Sequence, residues 1–140
     1  MKITNIELLT YVNILNKYAD KKLPQKISYA ITKNIIGLES DFKCYSKELD
    51  KVLSHYKDYF QKDENGEIKV NDSQIPILTE KDKTKEMVDE LNELLAIEID
   101  IDLYTIAEDV FDYEDDKYDS LSGLEIFDLM SVLCNKEEKE

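Results

Sequence analysis

The stretch "ITKNIIGLESDFKCYSKELDKVLSHY", residues 31–56, decides the fold. Its apolar residues Ile31, Ile35, Leu38, Phe42, Tyr45, Leu49, Val52 and Tyr56 alternate at steps of four and three. That is heptad spacing, which keeps one stripe of a helix facing a partner along its length. The pattern predicts a helix from about residue 25 to about residue 60, roughly 50 Å long at 1.5 Å per residue. A single neighbour of ordinary length cannot cover such a stripe. A second partner helix is expected on it, from this chain or from another copy, so a homodimer is one expectation. Tyr29, Tyr45, Tyr56 and Tyr59 read as packing residues of this arm.

On the N-terminal side, Thr4-Asn5-Ile6-Glu7 has the form of a capping box, in which Thr4 and Glu7 satisfy each other's orphan backbone donors. A helix is expected from about residue 5, with Leu8, Tyr11, Val12, Leu15 and Tyr18 on its apolar face and Lys21-Lys22-Leu23-Pro24 ending it. On the C-terminal side, Lys62-Asp63-Glu64-Asn65-Gly66-Glu67 is a turn, since Asn-Gly supplies the positive φ angles of a hairpin bend. Short extended segments flank it at Ile68-Lys69-Val70 and Ile75-Pro76-Ile77-Leu78, with Pro76 confined to an edge.

A third helix, capped by Thr79 or Thr84, buries Met87, Val88, Leu91, Leu94 and Leu95. The period then drops to two: Ile97, Ile99, Ile101 and Leu103 alternate with Glu98, Asp100 and Asp102, a strand with one apolar and one acidic face. Residues 105–111 suit a short helix and 112–119 a charged loop. Ser120 is expected to cap a last helix with Leu121, Leu124, Ile126, Phe127, Leu129, Met130 and Leu133 inward, and residues 135–140 to fray.

These elements give a mainly α fold with a small β element (α+β): a long helical hairpin or coiled-coil-like arm, a short hairpin or strand, and a C-terminal helix. At 140 residues, with three glycines and two prolines, the chain is expected to form one domain, residues 1–140.

Charge divides that domain. Residues 1–60 carry ten lysines and seven acidic residues, whereas residues 61–140 carry eight lysines and twenty-five acidic residues. A near-neutral helical half thus precedes a strongly acidic one. The net charge of −14 argues against direct binding to nucleic acid or to an anionic membrane and suits a basic protein partner. The chain has no arginine, the commonest specific reader of guanine and phosphate. No apolar run reaches the roughly 20 residues of a membrane span. Cys44 and Cys134 form no CxxC pattern, which fits reduced thiols in a cytoplasmic protein.

Catalytic chemistry finds little support. The one histidine, His55, lies on the long helix outside any nucleophile motif, and no GxSxG, phosphate-binding loop, dinucleotide fingerprint or HExxH occurs. The reading is of a protein that is no enzyme, with no catalytic residues and no cofactor. Asp112-Tyr113-Glu114-Asp115-Asp116 opens like a calcium loop, but Lys117 takes the glycine position and Gly123 the closing carboxylate position, so no metal site is expected.

An interaction surface is what remains. Glu98, Asp100, Asp102, Asp112, Glu114, Asp115, Asp116 and Asp119, interleaved with Tyr104, Tyr113 and Tyr118, present the charge pattern of a phosphate backbone together with tyrosine contact area. These are the expected partner-binding residues. The bland alternative is that the charge serves only solubility.

The segments "MKITNIELLTYVNILNKYADKKLPQKISYAITKNIIGLE", "KDENGEIKV", "ELNELLAIEIDIDLYTI" and "LSGLEIFDLM" resemble a family of small phage and prophage proteins of Gram-positive bacteria, classed as a domain of unknown function. The likeness covers nearly the whole chain. Its most specific pieces are Leu23-Pro24 and Glu90-Leu91-Asn92-Glu93-Leu94-Leu95 followed by the alternating strand. The resemblance implies viral or prophage origin and brings no functional residue with it.

With that origin, the expectation is an inhibitor of a basic host defence or nucleic-acid-binding protein, acting in the host cytoplasm through an acidic, nucleic-acid-mimicking surface. Two alternatives are a virion assembly or accessory protein that oligomerises through the long helix, and a protein that sequesters a small nucleotide signal. The second would need a cationic pocket, for which Lys17, Lys21, Lys22, Lys26 and Lys33 are the candidates.

Overall fold

Thr4 sets the register of the N-terminal region. Its hydroxyl accepts the Glu7 N–H at 3.3 Å, and the Glu7 carboxylate accepts the Thr4 N–H at 2.9 Å. The box starts α1 (Asn5–Tyr18) where the sequence places it. The structure, a computed structural model, describes residues 1–134; the fraying expected for residues 135–140 lies outside them.

The three residues before α1 form a strand that the sequence pattern does not announce. β1 (Lys2–Thr4) pairs antiparallel with β2 (Glu98–Asp100), Lys2 opposite Asp100, Ile3 opposite Ile99 and Thr4 opposite Glu98. The expected strand from Ile97 to Leu103 is thus shorter, because β1 offers only three residues to pair with. Beyond Asp100 the chain finds other partners.

α2 (Gln25–His55) follows Pro24, whose fixed φ suits a helix start. It ends earlier than the seam suggests: the Tyr56 N–H turns back to Leu53 O at 3.1 Å and a 3-10 turn takes over at Lys57–Tyr59. At 31 residues the helix is about 46 Å long. Two helices of the same chain pack on the two ends of its seam, and Phe42, Tyr45 and Leu49 between them are half-buried. α1 packs on the first part, in a core that includes Leu8, Leu15, Tyr18, Ile27, Ile31 and Leu38. α3 (Lys81–Ala96) packs on the last part, in a smaller cluster of Tyr56, Leu78 and Met87 flanked by Val52, Phe60 and Leu91. The expected second helix on the seam is therefore α3 of the same chain over its last part.

Residues 59–79 join α2 to α3 through three chain segments. Lys69 N–H donates to Gln61 O, Ile77 N–H to Lys69 O, and Gln61 N–H to Ile77 O, at 2.8–2.9 Å, closing a ring of bonds among segments eight residues apart. The two turns between them are built alike. Asp63 Oδ1 accepts the N–H groups of Asn65 and Glu67, and Asn71 Oδ1 those of Ser73 and Ile75. Gly66 and Gln74 occupy the same left-handed position, at φ 80° and 64°.

Helix starts expected at threonine or serine differ in two places. α3 begins after Glu80 with no side-chain cap, so neither Thr79 nor Thr84 caps it. α4 (Gly123–Leu133) is capped by Ser122, whose hydroxyl accepts the Glu125 N–H at 3.1 Å while Glu125 accepts the Ser122 N–H at 2.9 Å. Ser120 has no such partner three residues on. α4 buries Leu129, Val132 and Leu133, while Leu124 and Phe127, expected inward, are 72% and 68% exposed. Val88 of α3 is likewise exposed.

Candidate interaction surface

Residues 97–121 cross the molecule from β2 to the start of α4. Ile99, Ile101 and Leu103 pack on the core, so the period of two does direct one face inward. Ile97 departs from it and is 51% exposed, because it caps α3 instead of entering the ladder interior. Glu98, Asp100 and Asp102 are exposed. Asp100 meets the Met1 amino group at 3.4 Å and Lys2 Nζ at 3.6 Å; exposed pairs of this kind contribute little.

Tyr104 is fixed by a residue the sequence reading did not single out. The buried side-chain amide of Asn34 donates to Tyr104 O at 2.9 Å and accepts the Tyr104 N–H at 2.8 Å. The Tyr104 ring then meets Tyr29 edge-to-face at 5.4 Å, with Lys33 Nζ 6.0 Å from its centroid. These residues, with Ile36 and Asp102, line an open hollow of about 420 Å³ on the outer side of α2. A signal existed in the sequence: Asn34 is a lone amide three residues from Ile31, on the face of α2 that carries the seam.

The 112–119 loop hangs on two anchors. Phe111 is buried in the core at one end. At the other, Asp119 exchanges bonds with the turn after α1: its carboxylate accepts the Lys22 N–H at 2.8 Å and its N–H donates to Lys22 O at 2.7 Å. Asp119, one of the expected partner-binding residues, is exposed and also holds the loop.

Between the anchors, Tyr113 Oη donates to Asp119 O at 2.6 Å and its ring meets Tyr118 edge-to-face at 5.7 Å. Burial raises the Tyr113 pKa, with the charges of Asp119 and Glu125 adding to the effect. Asp115 accepts the Lys117 N–H at 3.1 Å and lies 3.9 Å from Lys117 Nζ, which itself sits 5.1 Å from the Tyr118 ring centroid. Tyr113, Tyr118, Glu114, Asp115 and Asp116 border a second hollow of about 450 Å³, floored by Phe111, Leu121 and Ile126.

The acidic residues of the strand and of the loop thus form two groups. Glu98 and Asp100 lie beside the start of α1, through β1, and the loop beside the turn after its end, through Lys22. The 14 residues of α1 separate the two groups by about 21 Å. Among the described residues, Glu98, Asp102, Glu108, Asp109, Asp112, Glu114 and Asp116 make no ion pair and no side-chain hydrogen bond. No three His, Cys, Asp or Glu side chains among the described residues converge on a point that could hold a metal ion.

Of the lysines expected to form a cationic pocket, Lys17 and Lys21 act on one carboxylate, that of Glu125, while Lys33 lies elsewhere. Lys33 lies over Tyr104 and Lys17 over Tyr18. Lys21 and Lys17 act on Glu125, whose carboxyl is held below its usual range first by the Ser122 backbone bond and then by these charges. His55 is exposed, 4.0 Å from a Glu90 oxygen, and Glu90 accepts a hydrogen bond from Tyr56 Oη.

Fold and surface define a class: a mainly helical protein with a small antiparallel sheet and a divided acidic surface set with tyrosines. No described helix is long and apolar enough to cross a membrane. No family model matches the chain, and no curated protein and no solved structure matches it.

Proposed function

We propose that this protein is a phage-encoded, non-enzymatic inhibitor of a basic host protein, a defence factor or another nucleic-acid-binding protein, acting in the host cytoplasm. Its acidic loop occupies the partner's nucleic-acid groove, and it binds neither nucleic acid nor membrane itself. The observation that carries this reading is the hollow bordered by Tyr113 and Tyr118, where Glu114 and Asp116 make no ion pair among the described residues. Charge kept only for solubility gains from intermixed signs. Here Asp119 holds the Lys22 backbone and Asp115 pairs with Lys117, while Asp112, Glu114 and Asp116 are left free for a basic groove. Long-range attraction then steers encounter, and the tyrosines supply contact area.

The oligomerising alternative rests on the seam, of which α3 covers the last part, leaving the half-buried Phe42, Tyr45 and Leu49 as its remaining support. The nucleotide-sequestering alternative would draw on Lys17 and Lys21, which act on the same Glu125 carboxylate, while Lys33 lies over Tyr104.

The test is capture of a partner from host lysate at low salt by the tagged protein, beside a Glu114→Lys, Asp115→Lys, Asp116→Lys variant. The expected result is one basic nucleic-acid-binding or defence protein, eluted by rising salt and lost from the variant. Equal recovery by both proteins overturns the proposal.

A further inference from the structure

The two-strand sheet leaves one edge of β2 open. Asn5 N–H donates to Ile97 O at 3.0 Å and Ile101 N–H donates to Met1 O at 2.9 Å, with Ile3 opposite Ile99 between them. Bonded residues alternate along an antiparallel pair, so odd-numbered residues of β2 face β1, and the N–H and C=O groups of Glu98 and Asp100 face away. Among the described residues no bond reaches the backbone groups of Glu98, Asp100 or Asp102. Two residues further along, at Tyr104, the side-chain amide of Asn34 bonds both backbone groups much as a neighbouring strand would. The open edge therefore has a closed end.

A hollow lies at each end of this edge, and α2 walls both. One is lined by Asp102, Tyr104, Tyr29 and Lys33. The other, about 380 Å³, is lined by Ile97, Glu48, Glu90 and Glu93. An unpaired strand edge is a template for another chain, and proteins guard such edges with charge. Here the guard is acidic, so a second copy would set Glu98, Asp100 and Asp102 against themselves, and like charges facing across strands repel. A basic segment meets the opposite condition.

We infer that the outer edge of β2 accepts an extended, lysine-bearing segment of a partner protein as a third strand. Its backbone pairs with Glu98 and Asp100, its lysines face Glu98, Asp102 and the glutamates around Ile97, and an apolar side chain seats on Ile97. The inference rests on the acidic stretch being a binding surface and adds a mode of binding, main-chain pairing with charge-selected side chains.

Titration of the full chain with a short peptide of alternating lysine and valine, followed by NMR, tests it. The peptide is expected to bind and to slow amide exchange at Glu98 and Asp100, while the same peptide N-methylated at alternate backbone nitrogens binds about tenfold more weakly for the bonds it loses. Asp100→Pro, which removes an outward N–H at an edge where proline is tolerated, is expected to weaken binding well beyond Asp100→Asn, which removes only the charge. Equal affinity of the two peptides with unchanged exchange at Glu98 and Asp100 overturns strand addition while leaving a charge-driven surface. Absence of binding by the lysine peptide overturns it also, and the loop surface is then judged separately by partner capture.

Discussion

The side-chain amide of Asn34 bonds both the N–H and the C=O of Tyr104, tying the first half of α2 to the chain leaving β2 across seventy residues of sequence. Asn34 is buried, and its loss strands two backbone groups in a partly buried position. Asn34→Ala is expected to lower unfolding free energy by about 2–6 kcal/mol, at about 1–3 kcal/mol for each of the two groups left unsatisfied. Urea denaturation measures it, and a change under 1 kcal/mol would show that water replaces the amide.

Gln74 holds a left-handed backbone at the position where the matching turn has Gly66. Side chains other than glycine pay about 1 kcal/mol there, so Gln74→Gly should raise stability by about that amount and Gly66→Ala should lower it similarly. Thermal melts of the two variants shift in opposite directions if the two turns are equivalent.

Leu129 and Phe127 lie two residues apart on α4, one buried and the other largely exposed. Leu129→Ala should cost about 2–5 kcal/mol as a core truncation, while Phe127→Ala should stay within about 0.5 kcal/mol. Similar losses for both would place α4 in the register that its apolar residues alone suggest.

Tyr56 donates a hydrogen bond to Glu90 and so joins the end of α2 to α3. That bond, then desolvation and the charges of Glu90, Glu86 and Asp89, push its pKa from 10.0 up to about 12. A pKa raised in the folded state marks stability fully present below the unfolded value and lost as pH rises through the folded one. Stability should therefore fall between pH 10 and about 12, and Tyr56→Phe should melt lower at neutral pH and lack this phase. Ultraviolet tyrosine titration of the two proteins should differ by one late-titrating group.

Local signals were legible in the sequence and distant ones were not. The Thr4–Glu7 box and the 31–56 seam are written in neighbouring residues; the box appears where it was expected, and the helix that carries the seam starts where expected but ends at His55. β1 is invisible because three residues carry no period and its partner lies at residues 98–100. Ser122 could have been found, since Glu125 stands three residues after it whereas Gly123 follows Ser120 at that distance. The paired turns at Asp63 and Asn71 are masked by Gln74, which stands where a glycine would have revealed the repeat. At the surface, composition showed the charge, but only the fold divides it along α1 and turns Asp119 into an anchor.

The most direct test of the proposed surface is competition between this protein and duplex DNA for the captured partner at fixed low salt. Mutual exclusion is expected, with Glu114→Lys, Asp116→Lys failing to displace DNA and wild-type affinity falling steeply as salt rises. A ternary complex of partner, DNA and this protein would contradict the proposal that the acidic loop occupies the nucleic-acid groove.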